Sequence, residues 1–142
     1  MANLVCDVLL TQAVLEMDGD SSGASGAIVD FWGTVRALEE GQEIEGIEYE
    51  AHQEMADHQL RLIARAAAER FGLESVIVHH RLGFVAVTEA SVYVRVVCQN
   101  REQAFQASQW TMNELKRKVP IWKRPKFKVA NERQPQLAHI EE

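Results

Sequence analysis

Two lysines, Lys116 and Lys123, are the residues of this chain best placed for chemistry. They lie in the run Leu-Lys-Arg-Lys-Val-Pro-Ile-Trp-Lys-Arg-Pro-Lys-Phe-Lys, Leu115 to Lys128. The thirteen positions from Lys116 hold seven of the fifteen Lys and Arg residues and no acid. The remaining eight bases face 21 Asp and Glu, so a net charge of −6 conceals a concentrated positive site. Such a patch repels itself, and its use is to hold something anionic. Lys116 falls on the last turn of a helix, one turn after Met112. Pro120 must end that helix, because its ring lacks an N–H and clashes with the carbonyl of Lys116. The chain turns there, which lets Lys116 and Lys123 converge on one pocket, with Ile121 and Trp122 expected as its apolar wall. An ammonium partly out of water beside other cations has a lowered pKa. At an effective dielectric of about 20, two like charges roughly 4 Å apart repel by about 4 kcal/mol. This is how a nucleophilic or acid-base lysine is made. The plainer alternative is a solvated helix end whose lysines complement the helix dipole. The acid-free run, interleaved with Ile121, Trp122 and Phe127, weighs against it. Arg117, Lys118, Arg124, Lys126 and Lys128 are expected to hold an anion or face water.

Two further features suit anions. Gln99-Asn100-Arg101 opens the same helix, where free N–H groups, the positive dipole end and Arg101 coincide. Gly33-Thr34-Val35-Arg36 closes a strand; Gly33 permits close approach of a backbone or ligand, and Arg36 can clamp a phosphate or carboxylate bidentately. Each has an ordinary reading as well, a plain cap and a solvated arginine. His79 and His80 are neighbours on a strand and point to opposite faces. His52 and His58 share no helical face. No metal spacing, phosphate-binding glycine loop or nucleophile elbow is present, and no cofactor is expected.

These residues need elements to hold them. Val5–Leu10 is a short apolar strand, and Asp18–Gly26 a loop rich in Gly, Ser and Asp. Gly26–Val35 alternates as a strand with its more apolar face on Val29, Phe31, Gly33 and Val35. Leu38–Gln42 is a polar turn and Ile44–Ala51 a second strand. His52–Phe71 is a helix with Met55, Gln59, Leu62, Ile63, Ala66, Ala67 and Phe71 as its stripe, stopped by Gly72. Val76–Leu82 and Ser91–Cys98 are strands joined through a loop at Gly83. Arg101–Lys118 is the clearest helix. Ala104, Phe105, Ser108, Met112, Leu115 and Val119 are its expected buried stripe, with Asn100 as N-cap and Gln103 in capping-box position. This order predicts an α+β sandwich with mainly antiparallel neighbours.

At 142 residues the chain is long enough for one domain with a real core. The overall acidity argues against a general nucleic-acid binder. No apolar run reaches membrane-spanning length, and the first residues lack the pattern of a secretion signal. Cys6 and Cys98 are too isolated for a disulfide framework or metal knuckle; both read as reduced core residues, and the expected compartment is the cytosol.

Several blocks together resemble a known family: Phe31-Trp32-Gly33-Thr34-Val35-Arg36, Glu48-Tyr49-Glu50-Ala51, His80-Arg81-Leu82-Gly83, Arg101-x-x-Ala104-Phe105-x-Ala107 and Leu115-Lys116-x-x-Val119-Pro120-Ile121-Trp122-Lys123. In order and spacing, from about Gly26 to Phe127, they resemble the large, catalytic subunit of molybdopterin synthase. The closing Lys-x-x-x-Pro-x-Trp-Lys block is the most specific of them. The resemblance implies an α/β hammerhead-like sandwich with an additional antiparallel β subdomain, residues 1–128 as one such domain, and 129–142 as a polar C-terminal tail. It implies a sulfurtransferase that is the homodimeric core of a heterotetramer. The partner is a thiocarboxylated ubiquitin-like small subunit, and the substrate cyclic pyranopterin monophosphate, converted to the molybdopterin dithiolene. Lys116 then matches the central catalytic lysine and Lys123 a second active-site lysine. Arg36 and Arg101 match substrate-binding arginines, Arg101 from the neighbouring subunit, with Asn100 beside it. Fixed cations in a shielded pocket stabilise the charge that develops during transfer.

The chain departs from that pattern at Asn100, where the family commonly has His; Asn can donate a hydrogen bond but cannot titrate. The tail also lacks the family's late Gly and Trp, so no role is carried to Arg133. Two other readings remain open at this point. One is a non-catalytic or specialised paralogue that only binds the tail of a ubiquitin-like partner. The other is single-strand nucleic-acid binding through Trp122, Phe127 and the bases, which the acidic remainder opposes. Trp32 and Trp110, each off the main buried face, are candidate interface residues.

Overall fold

A computed structural model describes residues 5–16, 25–128 and 138–140. The strands are β1 (Val5–Thr11), β2 (Ala27–Thr34), β3 (Leu38–Glu39), β4 (Gln42–Ala51), β5 (Ser75–Arg81), β6 (Gly83–Ala86), β7 (Ala90–Cys98), β8 (Ile121–Phe127) and β9 (Ala138–His139). The helices are α1 (Gln53–Phe71), between β4 and β5, and α2 (Arg101–Lys118), between β7 and β8. One sheet has the order β1-β5-β7-β2, and the other β3-β4-β8-β9 with β6 also paired to β4. β1 runs parallel to β5; the other pairs are antiparallel. The α+β class with an additional antiparallel sheet is as expected. No helix among the described residues is long and apolar enough to cross a membrane.

The first sheet forms because its strands are rich in β-branched residues. Val92, Val94, Val96 and Cys98 of β7 join Val76 and Val78 of β5 in one buried cluster with α1 and α2. The opposite face of this sheet carries a polar clamp. The Arg95 guanidinium donates to both oxygens of Asp30 at 2.6 and 2.8 Å, and the Tyr93 hydroxyl donates to Asp30 at 2.8 Å. The Arg95 bond, and less strongly the Tyr93 bond, hold the Asp30 carboxyl below its ordinary value against partial burial.

The helix limits follow local rules. His52 caps α1, its Nδ1 accepting the Met55 N–H at 3.2 Å, and Gly72 closes it at φ 63°, where glycine carries no Cβ penalty. Asn100 caps α2, its Oδ1 accepting the Gln103 N–H at 3.0 Å while its Nδ2 donates to Gln103 Oε1 at 2.8 Å.

Several expectations need correction. In α1 the buried face is Ala56, Leu60, Ile63, Ala64, Ala67 and Ala68, whereas Met55 and Leu62 are 47% and 45% exposed. Small residues set the phase, because alanines let two helices and a sheet approach closely and larger side chains on that face would hold them apart. Phe105 of α2 is exposed for the same reason, with Ala104 and Ala107 buried beside it. The polar turn at 38–42 is a tight hairpin of β3 and β4 around Glu40 (φ 51°) and Gly41 (φ 78°). The loop at Gly83 is strand β6. The basic run past Pro120 is strand β8. Cys6 is exposed rather than in the core; Cys98 is buried, and both are free. The loop expected at 18–26 lies, for 18–24, outside the described residues, as do 129–137 and 141–142 of the expected tail. Of that tail, β9 pairs with β8 and Ile140 is buried in the core.

Candidate active site

The break at Pro120 does what the sequence demands of it. Val119 caps α2 in an extended conformation (φ −85°, ψ 127°), its N–H reaching the Leu115 carbonyl at 3.1 Å. β8 starts at once and pairs with β4, placing Lys123 opposite Tyr49. A cavity of about 360 Å³ lies between them, bordered by Arg36, Glu39, Lys116 and Lys123. Four elements thus contribute: the end of α2, β8, the segment after β2, and the β3 hairpin. At Gly33 the register of β2 against β7 shifts. A Cβ at Gly33 would meet Val92 Cγ1 at 2.5 Å. The close approach expected there is therefore to a core side chain, and the shift turns Thr34–Arg36 toward the cavity.

Lys116 has a pKa below that of an ordinary lysine, first from partial burial, then from the nearby charges of Lys123 and Arg36. Lys123 donates to Glu39 Oε1 at 3.3 Å, with both side chains 19% exposed. The rest of the wall includes the polar side chains of Tyr49, His80 and Ser91 and the apolar ones of Trp32, Met112 and Leu115. Lys116 also borders a second groove of about 540 Å³, which runs past Phe31, Phe105, Ser108 and Gln109.

His80 is a wall residue that sequence reasoning set aside. It and His79 do face opposite ways: His79 Nε2 lies 3.1 Å from Asp7 on the far side of the sheet. His80 is 2% exposed, with Nδ1 2.8 Å from the Arg81 carbonyl. A carbonyl only accepts, so Nδ1 carries the proton and Nε2 is an acceptor. Burial pulls its pKa down to about 4, so the ring is neutral at pH 7. Glu39, Tyr49, Ser91 and Ile140 were also missed. They come from separate elements, and the usable signals were the places of His80 in the His80-Arg81-Leu82-Gly83 block and of Tyr49 in the Glu48-Tyr49-Glu50-Ala51 block.

The expected wall of Ile121 and Trp122 is not the one that forms. Ile121 is in the core. Trp122 lies on the other face of β8, near His139 at 6.5 Å between ring centroids. Three other bases of the run are held by acids from outside it. Arg117 and Lys118 reach Glu114 at 2.6 and 3.2 Å, and Arg124 reaches Glu50 at 3.5 Å.

Asn100 and Arg101 do not join this cavity within one chain. Arg101 and Lys116 stand near opposite ends of the 18-residue α2, roughly 22 Å apart along the axis at about 1.5 Å per residue. Both polar groups of the Asn100 side chain are engaged in the cap.

This chemistry and fold have relatives. Residues 7–118 match the model of the MoaE protein family; Lys123 lies beyond the matched stretch. The chain is 38% identical to the molybdopterin synthase catalytic subunit of Pyrococcus abyssi over 104 residues, 73% of this chain and 70% of the relative. It is 40% identical to the Neosartorya fischeri catalytic subunit over 111 residues, 78% of this chain and 59% of the relative. Among solved structures, molybdopterin synthase from Staphylococcus aureus superposes with a TM-score of 0.74 at 29% identity, covering 82% of this chain and 83% of that one. The chain belongs to the MoaE protein family.

Proposed function

We propose that this protein is the catalytic subunit of a molybdopterin synthase. It moves sulfur from the thiocarboxylated C-terminus of a small ubiquitin-like subunit to cyclic pyranopterin monophosphate, forming the dithiolene. The observation that carries the reading is the convergence of Arg36, Lys116 and Lys123 on one cavity from three separate elements. The groove past Phe31 and Phe105 suits an extended tail whose end meets Lys116. Lys116, with its lowered pKa, is the acid-base or nucleophilic group. Arg36 holds the substrate's phosphate. Lys123 stabilises the charge that develops on thioester and oxyanion-like species. Arg101 and Asn100 serve a neighbouring cavity, reached across a homodimer within a heterotetramer; the length of α2, which separates them from their own chain's Lys116, supports this reading. The two free cysteines suit a cytosolic setting.

The test is to combine the protein with a thiocarboxylated small subunit and the pterin precursor and to assay the dithiolene. Lys116→Ala abolishes formation while leaving the fold intact; full activity in that variant sinks the proposal. A second reading, a module that only binds the partner tail, is favoured by the commitment of Asn100 to its cap. It predicts partner binding with no sulfur transfer by the unaltered chain.

A further inference from the structure

The two cavity lysines differ in their surroundings. Lys116 sits beside two other cations, Lys123 and Arg36. Lys123 has a carboxylate, Glu39, 3.3 Å from its Nζ, and both side chains are largely withdrawn from water at 19% exposure. Glu39 is not on a loose loop. It pairs with Gln42 across the β3–β4 hairpin, whose turn is set by Glu40 and Gly41 at positive φ. The hairpin in turn hangs from β4, the strand on which Lys123 pairs with Tyr49. The acid and the lysine it holds are therefore fixed to the same sheet by separate strands.

A lysine has four side-chain rotors and ordinarily spreads its charge over a wide volume. A rigidly mounted carboxylate confines that charge to one place, and a preplaced charge needs no reorganisation when an anion forms. We infer that Glu39 is a positioning residue that divides the work of the two lysines. It tethers Lys123 as a fixed cation for developing negative charge and leaves proton transfer or bond formation to Lys116. The division of labour rests on the sulfur-transfer reading; the tether does not.

Trace acetylation with acetic anhydride, mapped by peptide mass, reads the tether directly. In Glu39→Gln, which keeps shape and acceptor but removes the charge, Lys123 acetylates about fivefold faster, the effect expected on losing a half-shielded ion pair. The gain at Lys116 is smaller. An unchanged Lys123, or an equal rise at both lysines, overturns the tether; an unchanged Tm shows that the fold is intact. In the dithiolene assay the same variant loses about tenfold in kcat with KM for the pterin unchanged, the mark of an interaction used in the transition state. Unchanged kcat, or a change in KM alone, overturns the division of labour. Absence of dithiolene with the unaltered protein, alongside the expected acetylation pattern, defeats the sulfur-transfer reading and the division built on it, and leaves the tether standing.

Discussion

The two ends of α2 carry cationic chemistry of different kinds. At the C-terminal end, Lys116 borders a cavity with Lys123 and Arg36, and its pKa falls through partial burial and like charge. At the N-terminal end, Arg101 is exposed, and Asn100 beside it is spent on capping the helix. A helix dipole favours cations at its C-terminus, yet burial and neighbouring cations outweigh that at Lys116. Proximity in a partly sheltered site, rather than position on the helix, sets the direction of the Lys116 shift. The contrast also shows what one chain holds: Arg36, Lys116 and Lys123 assemble around its cavity, whereas Asn100 and Arg101 lie away from it.

The largest expected effect lies at the C-terminal end. Lys116→Ala is expected to lower dithiolene formation by about a thousandfold, within the usual range for losing a positioned proton-transfer group. Its neighbour Arg117, held by Glu114 at 2.6 Å, serves as the control: Arg117→Ala changes activity by no more than about twofold. Equal losses in the two variants would erase the contrast.

Arg101→Ala is expected to cost about a hundredfold in the same assay, the effect of one lost charge-assisted contact to a reacting anion. If the two ends of α2 serve different copies, a refolded mixture of Lys116→Ala and Arg101→Ala chains regains about a quarter of full activity. In a dimer with statistical mixing, half the dimers are hybrids and each has one intact site. A mixture as inactive as its components places both ends in the same copy's site, or outside any site.

Next in size is the pKa of Lys116. Removing the cation of Lys123, as in Lys123→Ala, makes the Lys116 ammonium easier to keep. Its titration, followed by the pH dependence of acetylation, then moves up toward the ordinary value. No movement would mean that burial alone sets it. The lowered pKa also fixes a sign for stability. The folded state disfavours the ammonium, so Lys116 opposes folding below its folded pKa, and that opposition fades as pH rises toward 10.5. Lys116→Met is therefore expected to raise Tm slightly at neutral pH, with the gap closing in base.

The smallest effect belongs to the other end. Asn100→Ala is expected to cost about 1 kcal/mol of stability through loss of the cap, measured by urea unfolding, whereas Lys116→Ala costs none.

Much of this was legible in the residues. Pro120 after Lys116, Asn100 with Gln103, and Gly72 after Phe71 each act through local backbone chemistry, so the helix ends were readable. So was the convergence of Lys116 and Lys123, because a forced break and a short return leave few other outcomes. The phase of α1 was not: apolar content favoured Met55 and Leu62, while close packing selected the alanines. Nor was the strand character of Ile121–Phe127, because the run is rich in charged side chains, and two of their partners, Glu50 and Glu39, lie on other strands.

The sequence by itself determined where the helices stop, which residues carry the charge, and that Lys116 and Lys123 lie near one another, since those depend on interactions a few residues apart. Only the tertiary structure decided that Glu39 grips Lys123, that His80 offers a neutral acceptor to the cavity, and that Arg101 stays away from its own chain's Lys116. Each of these depends on which distant strands become neighbours and on the water they exclude, quantities that belong to the packed sheets as a whole.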